Sequence, residues 1–255
     1  MTLHIHPDTD ATLRALAKHI VIATQDARHR QAPLHVAIPG GETPNRLFAL
    51  LAEPAWQERI PWDSLHLHWG DERCVAPDDP QSNYGATRRL LLDRIPLAAD
   101  HIHRIHGESA NPLMEAERHA RQLAALLPTG PEGLPCLDWI ILGLGTDGHT
   151  ASLFAGDHAE RWSETARFCL VCHHPVTGQA RISLNLPLIN AAKRVTFLVT
   201  GSAKAPTVAA ILDPSAPKSP WPAGQVQPQS GRLEWFLDRD AAALLPDGVY
   251  LDQPA

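Results

Sequence analysis

The sequence predicts an α/β fold built on a mainly parallel sheet with helices on both faces. Three observations predict it. Short apolar runs alternate with helix-patterned segments along the 255 residues. Several of those runs lead directly into a glycine turn and then a helix start, as at Pro39-Gly40-Gly41. No fixed-period repeat and no clear linker interrupts the pattern, so residues 1–255 are expected to form a single domain.

Residues 8–30 carry Leu13, Leu16, Ala17, Ile20 and Val21 at the spacing of one helix face. Residues 34–38 form a short strand that runs into Pro39-Gly40-Gly41-Glu42-Thr43-Pro44. Thr43 suits a cap and Pro44 the first position of a helix over 45–52. The strand at 65–69 ends at Gly70-Asp71-Glu72-Arg73, and a loop rich in Pro, Asp and Asn spans 74–82. A helix is expected over 83–94, a short strand at 101–105 and a strongly patterned helix over 114–127. Residues 137–142 read as a buried strand, with a short helix after Gly148. Further strands fall at 167–171, 181–186 and 194–199, the last running into Thr200-Gly201-Ser202-Ala203-Lys204 and a helix over 205–212. A Pro/Ser/Gly/Gln-rich loop with Trp221 fills 214–231. Residues 234–245 close the chain, with Trp235 and Phe236 expected to dock on the core.

Hydrophobic content of 44% and charged content of 20% are ordinary for a soluble globular chain. The net charge of −6 argues against a nucleic-acid partner and requires local donors for any anionic substrate. The first ten residues carry no apolar signal core, and no stretch reaches the roughly 20 apolar residues of a membrane span. A cytoplasmic location with no membrane partner is therefore expected, as a monomer or small homo-oligomer. The four cysteines are irregularly placed. Cys169 and Cys172 form a C-x-x-C within a strand-like run, where residues three apart point to opposite faces. That argues against a redox or metal pair. Fifteen histidines are many, and His4/His6, His66/His68 and His101/His103 each share a strand face. No carboxylate or cysteine joins them at ligand spacing, so surface or half-buried histidines and no metal are expected.

In open parallel sheets, sites lie beyond the C-terminal ends of the strands. Four such ends carry unusual chemistry here: Gly40-Gly41-Glu42-Thr43, Asp71-Glu72-Arg73, Asp147-Gly148-His149 and Gly201-Ser202-Ala203-Lys204. With Arg181 they supply cations, backbone donors, carboxylates and a histidine. Gly143-Leu144-Gly145-Thr146-Asp147-Gly148 matches G-x-G-x-x-G, but Gly156 follows too soon for the long helix of a dinucleotide fold. The glycines instead suit a sharp turn beside a ligand. A helix N-terminus at His149 would keep the imidazole neutral and able to accept a proton, with Asp147 orienting the ring or a water. The Gly40-Gly41 turn reads as an anion site at a helix start.

These stretches resemble the 6-phosphogluconolactonases, within the wider glucosamine-6-phosphate isomerase superfamily. The matching segments are Gly40-Gly41-Glu42-Thr43-Pro44, "WGDERCVAPDDPQSNYGATRRLLL" from Trp69, "LGLGTDGHTASLF" from Leu142, "RISLNLPLIN" from Arg181, "FLVTGSAKA" from Phe197 and the tail from Trp221. The resemblance implies a Rossmann-like three-layer α/β/α sandwich. It implies hydrolysis of 6-phospho-D-glucono-1,5-lactone to 6-phosphogluconate in the oxidative pentose phosphate pathway. No metal and no organic cofactor is implied, and the partner is a small phosphosugar lactone. On this resemblance His149 would be the base for a water, Asp147 would hold the ring or the water, and Arg73 or backbone N–H groups are candidate donors to the oxyanion. Asp71 faces the sugar, and Gly40, Gly41, Thr43, Arg181 and Lys204 bind the 6-phosphate. Two departures are visible: Pro39 and Glu42 stand where serines are common, and Thr146 where proline is usual.

Two other functions fit the same scaffold. An amino-sugar phosphate isomerase or deaminase carries a carboxylate five residues after the histidine, where this chain has Phe154, and tends to read Asp-Glu-Tyr at Asp71-Glu72-Arg73. A non-catalytic sugar-phosphate sensor needs the anion turn but not the Asp147–His149 pair.

Overall fold

Runs such as Leu34–Ile38 and Arg194–Val199 are buried along their whole length, as expected of strands covered on both faces. The computed structural model describes residues 1–156, 162, 167–213 and 220–246. In chain order the strands are β1 (Thr2–His6), β2 (Leu34–Ile38), β3 (Leu65–Trp69), β4 (Asp71–Arg73), β5 (Ile102–His103), β6 (Trp139–Leu142), β7 (Cys169–His173), β8 (Ala180–Leu184), β9 (Arg194–Val199) and β10 (Arg232–Asp238). Seven of them form one sheet in the order β1-β10-β9-β6-β2-β3-β5, with every neighbouring pair parallel. The flanking helices are α1 (Thr9–His29), α2 (Glu42–Leu51), α3 (Pro54–Gln57), α4 (Asn83–Leu90), α5 (Pro112–Leu126), α6 (Leu186–Asn190) and α7 (Ala205–Leu212). This is the α/β, Rossmann-like architecture with a mainly parallel sheet that the sequence predicts.

Its core lies between the central strands and the apolar stripes of the helices. Asp8 caps α1 through a 2.8 Å bond from the Ala11 N–H, and α1 buries Leu13, Leu16, Ala17, Ile20 and Val21. Trp235 and Phe236 are buried as expected, and Trp235 stacks on Phe197 with ring centroids 4.1 Å apart.

The differences from the expected elements have local causes. Thr2–His6 pairs with β10 as an edge strand, although its polar, half-exposed residues give little strand signal. The two further strands expected near 167–171 and 181–186 form the hairpin β7–β8, which lies outside the parallel sheet and joins β4 in a separate antiparallel sheet. The short connection between β7 and β8 leaves no room for a crossover helix. Helix α4 gives way to a 3₁₀ turn at Leu92–Arg94. Helix α2 starts at Glu42 with Gly41 as its cap residue, so Thr43 is not the cap and Pro44 sits in the third helical position. Residues 149–156 form no helix: a turn with a bridge between Thr150 and Leu153 stands there, and Ala151 takes a φ of 48°. The 214–219 part of the expected loop lies outside the described residues.

Of the H-x-H pairs, His4, His6, His66 and His101 are half-buried, as expected, but His68 and His103 are buried, because their rings face the covered side of the sheet beside His35 and His119. Five rings from β2, β3 and the β5 region gather on one sheet face. His35 Nδ1 lies 3.1 Å from His68 Nε2, His66 Nδ1 lies 3.0 Å from His103 Nε2, and His66 stacks on His101 at 3.9 Å. Among the described residues no group of three or more His, Cys, Asp or Glu side chains could hold a metal ion. Burial, with neighbouring imidazoles adding to it, pushes His35, His66 and His103 down to about 4. Asp138 opposes this at His35, and Asp100 at His66 and His103.

A histidine with a lowered folded-state pKa binds fewer protons in the native state than in the unfolded chain. Its contribution is complete above the unfolded value of about 6.5 and is lost as pH falls through the folded value. The melting temperature is therefore expected to fall by several degrees between pH 7 and pH 5. The double variant His66→Gln/His103→Gln should flatten that slope in a thermal-melt series; an unchanged slope would show that other groups set it.

Candidate active site

Because the large sheet is parallel, the loops leaving β2, β3, β6 and β9 emerge on one side of it. The register aligns Ile38 with Trp69 and Leu142 with Phe197, and the Gly70 N–H donates back to Ile38 O at 3.0 Å. These loops, with Arg181 from β8, surround a cavity of about 330 Å³. Gly40, Gly41, Thr43, Asp71, Arg73, His149, Arg181 and Lys204 all line it. Asp147 touches His149 from beside it. The residues selected from four separate strand ends thus meet at one place.

The turn after β6 brings Asp147 and His149 together. His149 Nδ1 lies 2.6 Å from Asp147 Oδ1. A carboxylate acceptor there holds the proton of the neutral ring on Nδ1 and leaves the lone pair on Nε2. Gly145 permits the contact, since a Cβ on it would lie 2.1 Å from His149 Nδ1 and 2.3 Å from Asp147 Oδ1. The turn is closed by Gly145 N→His149 O at 2.9 Å and Gly148 N→Gly145 O at 3.1 Å. Thr150 Oγ1 donates to Gly143 O at 2.9 Å, and Thr207 Oγ1 of α7 to Thr146 O at 2.8 Å. Partial burial pushes the Asp147 carboxyl up, but the adjacent His149 ring and the ring and backbone N–H bonds outweigh it and hold it below the ordinary value. With no helix over 149–156, His149 does not stand at the helix N-terminus expected there; the Asp147 carboxylate orients the ring.

On the opposite wall, α2 begins at the Gly40-Gly41 turn. Gly41 adopts a φ of 115°. The first intrahelical bond is Asn45 N→Gly41 O, so the N–H groups that precede it on the first turn have no intrahelical acceptor. Such a helix start favours an anion. Thr43 Oγ1 and Thr200 Oγ1, 2.9 Å apart, tie the β2 loop to the β9 loop. Lys204 follows the Gly201 turn, which Asp238 fixes by accepting from Gly201 N at 3.0 Å. Burial lowers Lys204 from its ordinary value, with Asp147 opposing, and likewise lowers Arg181, with Asp71 opposing. Both cations are thus partly stripped of water. Arg181 lies over the Phe154 ring, its Cζ 5.5 Å from the centroid, and His149 packs against the same ring at 4.7 Å.

Asp71 is buried on β4 between Ser152, whose hydroxyl donates to Oδ2 at 2.5 Å, and Asn83, whose Nδ2 lies 3.3 Å from Oδ1. Arg73 donates from Nη1 to the Gln81 carbonyl. Its Nε, like that of Arg181, is buried without a hydrogen-bond partner. Several supporting residues went unrecognised in the sequence. Glu72 accepts from the Arg73, Asn83 and Tyr84 N–H groups, each at 2.8 Å, and so folds the 74–82 loop back onto the site. Burial nevertheless holds the Glu72 pKa above its ordinary value. Asn83 also lines the cavity and fills the space a side chain at Gly40 would take, within 1.7 Å of its Cβ position. The Ser82-Asn83 pair before a helical pattern was the available signal; Ser152 and Asp238 carried none.

Comparison with known proteins places this arrangement among relatives. The 6-phosphogluconolactonase of Haemophilus influenzae is 41% identical over 239 residues, 94% of this chain and 97% of that protein. The crystal structure of the devB protein superposes with a TM-score of 0.89 at 43% identity, covering 96% of this chain and 99% of that one. The 6-phosphogluconolactonase of Trypanosoma brucei superposes with a TM-score of 0.83 at 31% identity, covering 96% and 98%. Residues 7–235 match the family profile described as glucosamine-6-phosphate isomerases/6-phosphogluconolactonase, and the chain belongs to that family.

Proposed function

We propose that this protein hydrolyses 6-phospho-D-glucono-1,5-lactone to 6-phospho-D-gluconate, the second step of the oxidative pentose phosphate pathway, with His149 as the base for a water. One observation carries the reading: the Asp147–His149 pair, bonded at 2.6 Å, opens onto the same cavity as the Gly40-Gly41 helix start, Arg181 and Lys204. The relatives named as 6-phosphogluconolactonases supply the substrate class.

A lactone is an activated ester, so one positioned water and one base suffice. The water oxygen attacks C1 while His149 Nε2 takes its proton, and the Asp147 carboxylate stabilises the resulting imidazolium. The oxyanion on the former carbonyl is met by Arg73 or by backbone N–H groups. Collapse breaks the C1–ring oxygen bond. His149 returns its proton to the leaving ring oxygen, which becomes the C5 hydroxyl, and the product acid ionises. Asp71, held by Ser152 and Asn83, accepts from sugar hydroxyls. Gly40, Gly41, Thr43, Arg181 and Lys204 hold the 6-phosphate. No step needs a metal or organic cofactor.

His149→Ala is expected to lower kcat/KM by about 10²–10⁴-fold while the variant still binds 6-phosphogluconate. The assay uses freshly made lactone against its spontaneous hydrolysis, with and without EDTA. Wild-type turnover in the variant, sensitivity to the chelator, or ammonia release from glucosamine 6-phosphate would each overturn the reading. Lys204→Met should raise KM for the phosphorylated lactone by about tenfold, roughly the 1.4 kcal/mol of one charge-assisted contact. It should leave turnover of unphosphorylated gluconolactone unchanged; an equal loss on both substrates would place Lys204 elsewhere in the reaction.

A further inference from the structure

The catalytic turn is held on one side by its own hydrogen bonds and by α7. Its other side meets the loop that follows residue 219. Gly148 sits at a φ of 78°, and a Cβ built on it would lie 2.3 Å from Trp221 Cγ, 2.6 Å from Trp221 Cβ and 2.8 Å from Trp221 Cδ2. The indole therefore rests directly on the Gly148 backbone, one residue before His149. Two positions further on, the Ala223 N–H donates to Gly148 O at 3.1 Å, and Gly224 N→Trp221 O at 3.0 Å keeps the tryptophan and Ala223 in one tight turn. The same loop is pinned at its far end by Asn190, which donates to Gln225 O at 3.2 Å, accepts from Gln227 N at 2.8 Å and accepts at its carbonyl from Gln229 N at 3.0 Å. Val226 is buried beneath it. The loop is thus a fixed abutment, and Trp221 is the part of it that bears on the turn.

Gly148 is the most permissive point of the turn, since only glycine populates φ > 0 without strain. The Gly148 N–H and the His149 carbonyl are each bonded to Gly145 from inside the turn. The Trp221 ring and the Ala223 bond meet Gly148 from outside, so the residue before His149 is held from both sides. We propose that Trp221 is a positioning residue for catalysis: it fixes the backbone at Gly148 and so sets where His149 Nε2 points. This rests on the reading of His149 as the base.

Trp221 is half-buried at the edge of the molecule's chemistry and lies outside the packed sheet core. Removing its ring should therefore disturb the turn more than the fold. Misplacing a reacting group by about 1 Å can lower the rate about 10²-fold without loss of ground-state binding. Trp221→Ala is expected to lower kcat at least tenfold with KM within about twofold of wild type, and with 6-phosphogluconate affinity retained. Trp221→Phe, which keeps an aromatic plane over Gly148, should recover most of kcat. Trp221→Leu gives the same test should the alanine variant fail to fold: kcat falls, KM holds. Wild-type kcat in the alanine variant, a rise in KM with kcat intact, or no recovery by phenylalanine would overturn the proposal. The His149→Ala variant run alongside separates the two claims. An active His149→Ala enzyme sinks the base assignment itself; an inactive one beside a fully active Trp221→Ala enzyme sinks only the positioning role.

Discussion

The site depends on one hydrogen bond, from the His149 imidazole to the Asp147 carboxylate at 2.6 Å. Two residues apart in the chain, these side chains meet only if the backbone between and before them folds back sharply. Glycine makes that possible at two points for different reasons. At Gly145 the obstacle is space, because the bond itself passes over its Cα. At Gly148 the obstacle is conformation, because φ is 78° and an indole occupies the outward side. The pair is therefore specified less by the acid and the base than by the residues with no side chains around them. Once formed, the bond fixes the tautomer of the ring, which is the property a proton acceptor needs.

Buried carboxylates do comparable work on the surrounding loops. Glu72 and Asp238 are both buried and accept from backbone N–H groups of segments far away in the chain. Glu72 gathers Arg73, Asn83 and Tyr84; Asp238 gathers Gly201, Ala241 and the Thr9 hydroxyl. Hydrogen bonds to a charged group contribute roughly 1.5–3 kcal/mol each, and at Glu72 three of them offset only part of the burial, which still holds its pKa above the ordinary value. That balance makes such a residue a strict organiser: the loop either supplies all its N–H groups or the charge is left exposed to a low dielectric. The consequence is a fixed path for the 74–82 loop, which delivers Asn83 to Asp71, and for the Gly201 turn, which delivers Lys204.

The alternation of apolar runs and helical stripes made the parallel sheet legible, and the glycine-marked strand ends made the place of the site legible. Asp147, His149 and Lys204 could be grouped because in a parallel sheet their strand ends share one side, whereas Arg181 reaches the site from β8 of the separate antiparallel sheet. Three things were not legible. That β7 and β8 pair as an antiparallel hairpin outside the main sheet was not visible, because the hydrophobic pattern of a strand carries no direction. The helix expected after Gly148 was inferred from composition, but the positive φ at Ala151 and the Thr150–Leu153 bridge stop it. Ser152, Asn83 and Asp238 act through hydrogen bonds to residues 81, 12 and 37 positions away. No local pattern in the chain encodes such pairings.

A chain with a net charge of −6 grips an anion only if its cations are placed where water does not screen them. Burial lowers Lys204 and Arg181 from their ordinary values, and on the proposed reading a bound phosphate would restore the partners each loses to burial. Phe154 touches both Arg181 and His149. Its ring lies beneath the Arg181 guanidinium at 5.5 Å and against His149 at 4.7 Å. The ring is buried, so both groups rest on one fixed surface. On the proposed reading, that plane sets the span between the phosphate and the attacking water, and so matches the site to a lactone carrying its phosphate on C6. A carboxylate at position 154 would change both ends at once: it would pair with Arg181 in competition with phosphate and place a second acid beside the imidazole.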